Sequence, residues 1–229
     1  MTIRPLKKGK DSASLRHDRS QAEIITEVVQ DASNVSLLAC LDGLLADEDL
    51  LADTARRSHR HQLGFWKYVL MVDDEGRALR MHLWDRDHYV LEDIHSHCAD
   101  FTSRIVFGRL TENAFNLVEG SSLASFLYRF DEGVGHSVAV PNGHVEGSLR
   151  SSRVLGPNEV YSKTAQELHN VSDVEVGTVT VSAWFQRSHD ALVLKGANAC
   201  AEDCVATIGI EIGELRLVLE EIRKRISAK

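Results

Sequence analysis

From Phe65 to about Arg187 the chain is cut into short runs of β-branched and aromatic residues, most of them closed by a turn signal. The runs are Phe65–Val72 before Asp73-Asp74-Glu75-Gly76, Ala78–Trp84, Arg104–Phe107 before Gly108, Ser125–Phe130 before Asp131-Glu132-Gly133, Ser137–Val140 before Pro141-Asn142-Gly143, and Thr178–Gln186. Such residues suit a pleated, half-buried surface, and Gly, Asn, Asp and Pro take up the backbone angles of turns. Many short strands at this spacing predict an antiparallel sandwich or barrel.

The flanks have a different texture. Residues 1–19 read as a flexible, basic and polar arm. Residues 20–62 read as helical: Ser20 and Glu23 have the form of a capping box, and Ile24, Ile25, Val28 and Val29 give one apolar face. A second helix carries Leu37, Leu38, Leu41, Leu44 and Leu45, and a third starts near Glu48 and runs into the basic cluster Arg56 to His61. The barrel itself is placed at 63–190. Over 200–229 a helix is expected from about Glu202, with Val205, Ile208, Ile212, Leu215, Leu219, Ile222 and Ile226 in steps of three and four. That heptad seam fits either a helix packed on its own barrel or one that pairs with a second subunit in a homodimer.

Bulk properties narrow the partners. The net charge is −8 over 229 residues, which argues against nucleic acid or an anionic membrane surface. No apolar run is long enough to span a bilayer, and no signal-peptide core is visible, so the expected location is cytoplasmic. Cys40, Cys98, Cys200 and Cys204 have neither disulfide-framework nor zinc-finger spacing and read as ordinary thiols.

The most informative tripeptide is His95-Ser96-His97. On a strand, residues two apart share a face, so both imidazoles would enter the barrel. A metal needs a third ligand. His169 is the best candidate, lying after the turn Gly156-Pro157-Asn158 and before the apolar strand Val176–Phe185. Three facial imidazoles leave open positions for substrate and O2 on a redox-active ion. Zinc with three histidines and a water would also be satisfied.

These residues resemble the cupin superfamily, and within it the cysteine dioxygenase-like group of thiol dioxygenases. The likeness rests on His95-x-His97, Gly108-Arg109-Leu110, His169-Asn170-Val171, the strand Thr178–Ser182 and the run Arg80-Met81-His82-Leu83-Trp84. It covers roughly residues 65 to 190. The resemblance implies a mainly β fold, a double-stranded β-helix or jelly-roll barrel with N-terminal helices and a C-terminal helix. It also implies Fe(II) as the cofactor, with Zn, Ni, Mn or Cu as alternatives, and a dioxygenase acting with O2 on a small thiol or amino-acid-like molecule. The chain departs from the group at several positions. Where the last strand of the cysteine dioxygenases carries a His and a Tyr, this chain has Ser182 and Trp184. The cross-linking Cys falls near Thr102, and the substrate-carboxylate Arg falls near Lys67.

Tyr161, Trp184 and Arg104 are the candidate catalytic residues beside the metal; Lys67, Arg104 and Tyr161 are the candidates for holding substrate. Each also has a plainer reading: Tyr161 covers the barrel end, Trp184 is a pocket wall, and Arg104 pairs with Asp100. Cys98, directly after a ligand, is expected to point away from the metal. His82 and His88 read as satisfied or solvated. His136 and His144 fall in a hairpin that Pro141-Asn142-Gly143 would turn, and Glu159 or Glu167 could orient an imidazole. The competing functions are a non-redox cupin (isomerase, lyase or hydrolase) and a small-molecule-binding cupin without catalysis.

Overall fold

The computed structural model describes residues 20–61, 63–85, 92–134, 136–202 and 209–228. The expected N-terminal arm, His88, Cys204, Val205 and Ile208 lie outside these residues.

Three helices open the described chain: α1 (Gln21–Gln30), α2 (Val35–Ala46) and α3 (Glu48–Arg57). Ser20 starts α1 as expected. Its hydroxyl accepts from the Glu23 amide at 3.3 Å, and the Glu23 carboxylate accepts from the Ser20 amide at 2.9 Å. The fourth helix, α4 (Ile212–Ser227), starts well after Glu202. Gly209 sits at φ +106, where a right-handed helix cannot run.

Among the described residues, eleven strands make two antiparallel sheets. The first contains β1 (His59–Arg60), β2 (Trp66–Val72), β3 (Ala78–Leu83), β5 (Phe101–Phe107), β8 (Val160–Lys163) and β10 (Val179–Trp184), in the order β1-β2-β3-β10-β5-β8. The second contains β4 (Ile94–His95), β6 (Leu110–Asp131), β7 (His136–Leu155), β9 (Leu168–Ser172) and β11 (Ala191–Gly196), in the order β11-β4-β9-β6-β7. The fold is mainly β, with late strands inserted between early ones in both sheets.

Side-chain parity explains the first sheet. Tyr68, Leu70, Leu79, Met81, Val106, Val179 and Val181 face outward and are buried beneath the helices. Phe101, Ile105, Trp184 and the rest of the alternate set face inward, against Leu110 and Val171 of the second sheet. A sheet covered on both faces has no solvent side, so every residue of β10 is buried.

Two expectations are corrected here. Pro141-Asn142-Gly143 is not a hairpin turn: β7 runs straight through it, and the reversal lies between Asp131 and His136. β7 is an edge strand, where Pro costs no ladder bond, and Gly143 at φ +82 lies near a register shift opposite Ala124 and Phe126. The barrel also continues past residue 190, because β11 pairs with both β4 and β6. Of the two readings of the C-terminal seam, the packing within the chain is seen for its α4 part: Leu215, Leu219, Ile222 and Ile226 are buried in the core shared with α2 and α3. Among the described residues, no helix is long and apolar enough to cross a membrane.

Candidate metal centre

β4 and β9 lie side by side, with His95 directly opposite His169 in the register. His97 follows just beyond β4 and is held by its own amide, which donates to the Ala165 carbonyl at 3.1 Å. Ser96 between them is tied to β11: its hydroxyl accepts from the Leu192 amide at 2.9 Å, extending the pairing with that strand. Both imidazoles of the tripeptide reach one site, as expected, although only its first residue is within a strand.

The three rings meet in pairs with centroids 4.8, 4.9 and 5.0 Å apart. One potential ligand atom from each lies within 4.8 Å of the others, and among the described residues no carboxylate joins them. His95 Nδ1 lies 2.9 Å from the Asp93 carbonyl. A carbonyl can only accept, so Nδ1 carries the proton and the Nε2 lone pair remains available. Burial pushes the pKa of all three histidines down, well down for His97 and His169. Neutral, converging imidazoles are what a divalent cation requires, so the donor set fits such a metal.

The rings open on a cavity of about 320 Å³. Lys67, Tyr161 and Trp184 all line it, as does Cys98. Trp184 stacks on Phe101 with centroids 4.6 Å apart and meets His97 edge-on at 5.0 Å. Burial pushes the Tyr161 phenol far above its ordinary pKa, so it stays protonated and can donate.

Arg104 is corrected: it does not line the cavity. It has the outward parity of β5 and is fully buried under the helices. Its guanidinium donates to the Val28 and Val29 carbonyls at 3.0 and 2.9 Å and to Asn34 Oδ1 at 2.8 Å. It closes the open carbonyls at the end of α1. Its expected partner Asp100 instead accepts from the Ala165 amide at 2.6 Å. Cys98 is the second correction. The chain bends at residues 98 and 99, so strand alternation no longer sets its direction. His82 also faces the cavity, with Nδ1 3.3 Å from Thr180 Oγ1. His136 and His144 bond to the carbonyls of Val134 and Ala197 and take no part.

Glu159 and Glu167 cap local turns through the Gly156 and Thr164 amides. The carboxylate near His169 is Glu112 instead, with Oε1 3.9 Å from Nδ1. Glu112 is buried and paired with Lys163 at 2.5 Å and Arg153 at 3.0 Å. Its signal lay in β6, where it shares inward parity with the buried Leu110 and Ala114. Glu92 was also missed. It lines the cavity, its carboxylate accepts from the Val171 amide at 2.9 Å, and burial raises its pKa to about 8. It therefore holds a proton at neutral pH.

No protein-family model and no curated protein matches the sequence. Among solved structures, a Streptomyces Pac13 variant with uridine is similar over 70% of this chain and 93% of that one, at 12% identity and a TM-score of 0.31. Pac13 itself, described as a unique nucleoside dehydratase, covers the same shares at 14% identity and a TM-score of 0.27. Hydroquinone 1,2-dioxygenase from Sphingomonas sp. TTNP3 with 4-hydroxybenzoate bound is similar over 60% of this chain and 72% of that one, at 11% identity and a TM-score of 0.23.

Proposed function

We propose that the protein is a mononuclear metal-dependent oxygenase, in which His95, His97 and His169 hold Fe(II) and a small thiol or amino-acid-like substrate reacts with O2 in the adjoining cavity. The observation that carries this reading is the set of three neutral, carboxylate-free imidazoles at the wall of a cavity of about 320 Å³. Fe(II) in such a site supplies one-electron chemistry toward O2 and open positions for substrate.

The chain's own groups divide the remaining work. Asp93 fixes the tautomer of His95 through its carbonyl. Phe101 and Trp184 form a stacked apolar wall beside His97, which keeps bulk water from the reacting end of the substrate. Tyr161 offers a protonated phenol to an oxygen of the substrate, and Lys67 offers a positive point charge in the same cavity.

A second reading follows from Glu92. A carboxylic acid that keeps its proton at neutral pH beside the site could deliver it to a substrate. That chemistry belongs to a non-redox lyase, isomerase or hydrolase. The deciding experiment loads the protein anaerobically with Fe(II), adds a panel of small thiols and amino acids, and follows O2 uptake. Uptake that needs both iron and a panel member supports the oxygenase. Substrate turnover of equal rate with Zn(II) and without O2 replaces it with the second reading.

A further inference from the structure

Arg80 is the one guanidinium that lines this cavity with no acidic partner among the described residues. It stands on the inward face of β3 opposite Ser182, with its guanidinium carbon 4.1 Å from the Trp184 ring centroid. Its Nε is sealed from solvent and has no hydrogen-bond acceptor. Arg187, which also lines the cavity, has Asp190 at 3.6 Å. The cavity's own acids are spent elsewhere: Asp93 pairs with Lys195 at 2.5 Å, and Glu92 receives the Val171 amide and holds a proton. Burial lowers the Arg80 pKa only to about 10, so the group remains a cation at neutral pH.

Two further donors on the same cavity are in the same condition. Trp84 Nε1 and Trp184 Nε1 are buried and unpartnered. Three orphaned N–H groups, with no orphaned acceptor beside them on that wall, call for a ligand that supplies acceptors and negative charge. A half-buried cation with no acidic group beside it carries an uncompensated desolvation cost; a ligand that brings the counter-charge recovers that cost on binding. A carboxylate accepts only, at roughly four sites, and matches the guanidinium fork. The aromatic walls, Phe65, Trp84, Phe101 and Trp184, suit an apolar body attached to it.

We propose that Arg80 is the anchor for a substrate carboxylate, so that the cavity takes a small organic acid with its apolar part against the tryptophans and its reacting end toward the three histidines. This rests on the reading of the histidine cavity as the substrate site. Arg80 is a binding and specificity-determining residue here, and takes no part in bond making.

The test uses the full chain, once stripped of metal with a chelator and once reconstituted with Zn(II). The probes are benzoate and 3-phenylpropionate, their neutral amides, and inorganic phosphate, followed by calorimetry and thermal shift. The carboxylates are expected to bind in both metal states and the amides at least about tenfold more weakly. Arg80→Met should weaken carboxylate binding by at least about tenfold, and Arg80→Lys, which keeps the charge but loses the fork, by less. Without ligand, Arg80→Met should melt no lower than the parent, since it removes a half-buried charge that has no acidic partner among the described residues. Amides binding as well as acids, phosphate binding better than either, no binding by any acid, or an Arg80→Met protein that binds unchanged or melts far lower would each overturn the proposal. Because the metal-stripped arm needs no iron, failure of the oxygenase reading and failure of the anchor are separate results.

Discussion

The Nε2 atoms of His97 and His169 lie 2.7 Å apart although 72 positions separate them in the chain. Two protonated imidazoles would repel at that distance; one shared cation would draw both lone pairs to itself. Replacing His95, His97 or His169 with Ala should therefore leave a folded protein that retains almost none of the metal held by the parent, about one ion per chain. Elemental analysis after gel filtration, with circular dichroism as the folding check, decides it. Full metal content in all three variants would remove the metal centre.

Glu92 gives a pH dependence with a definite sign. Its carboxyl ionises near 4.5 ordinarily and near 8 when buried here. Between those values the folded protein binds the proton that the unfolded chain has released, so this group's contribution to stability is lost as pH rises from about 4.5 to about 8. Glu92→Gln can still accept from the Val171 amide but does not titrate. The variant should gain on the order of 3 kcal/mol over the parent at pH 8.5, and little at pH 4. Urea unfolding of both proteins across that range measures the difference; parallel curves would refute the assignment.

Arg104 should behave as a structural residue. Arg104→Met strips four acceptors, the Val28 and Val29 carbonyls, Asn34 Oδ1 and Asn158 Oδ1, of a buried donor. A loss of about 3 kcal/mol is expected in denaturant unfolding. Metal retention in the fraction that remains folded should be unchanged, which a residue of the cavity would not show.

Glu112 and Lys163 form a buried ion pair beside His169, at 2.5 Å. Glu112→Ala strands the ammonium and should cost about 3–5 kcal/mol. Adding Lys163→Met should recover most of that stability, because the double variant buries no lone charge. Metal affinity should remain about 10–100-fold below the parent in the double variant, since the carboxylate near His169 Nδ1 is still gone. A double-mutant cycle with metal titration separates the two effects.

Gly108 makes the turn between β5 and β6 at φ +72, and a Cβ there would come within 2.2 Å of Thr178 Oγ1 and 2.8 Å of its Cα. Gly108→Ala should destabilise by about 2 kcal/mol or more, seen as a lower melting temperature. An unchanged midpoint would mean that the turn does not approach Thr178 so closely.

Much of this site could be read before any coordinates. The convergence of His95 and His97, the later His169 and the Ser20–Glu23 cap all depend on residues close in sequence or on strand periodicity, and all are found as expected in the structure. Cys98 departs from the expectation because the chain bends at residues 98 and 99, where alternation no longer applies. Arg104 was misjudged because a lone Arg beside a ligand strand gives no sign of which sheet face will be covered by helices.

The sequence by itself determined the strand-rich core, the flanking helices and three histidines able to hold a metal, since these follow from local propensity and from the two-residue and 3.6-residue repeats. Only the tertiary structure decided that Glu112 and Glu92 are buried and that Arg80 stands half-buried with no acidic partner among the described residues. Burial and charge pairing are properties of neighbours brought together from distant positions: Glu112 meets Lys163 and His169 across strands β6, β8 and β9. The α4 seam shows the same limit. Its apolar spacing gave a stripe to be buried, but only the tertiary structure shows Leu215, Leu219, Ile222 and Ile226 packed against α2 and α3.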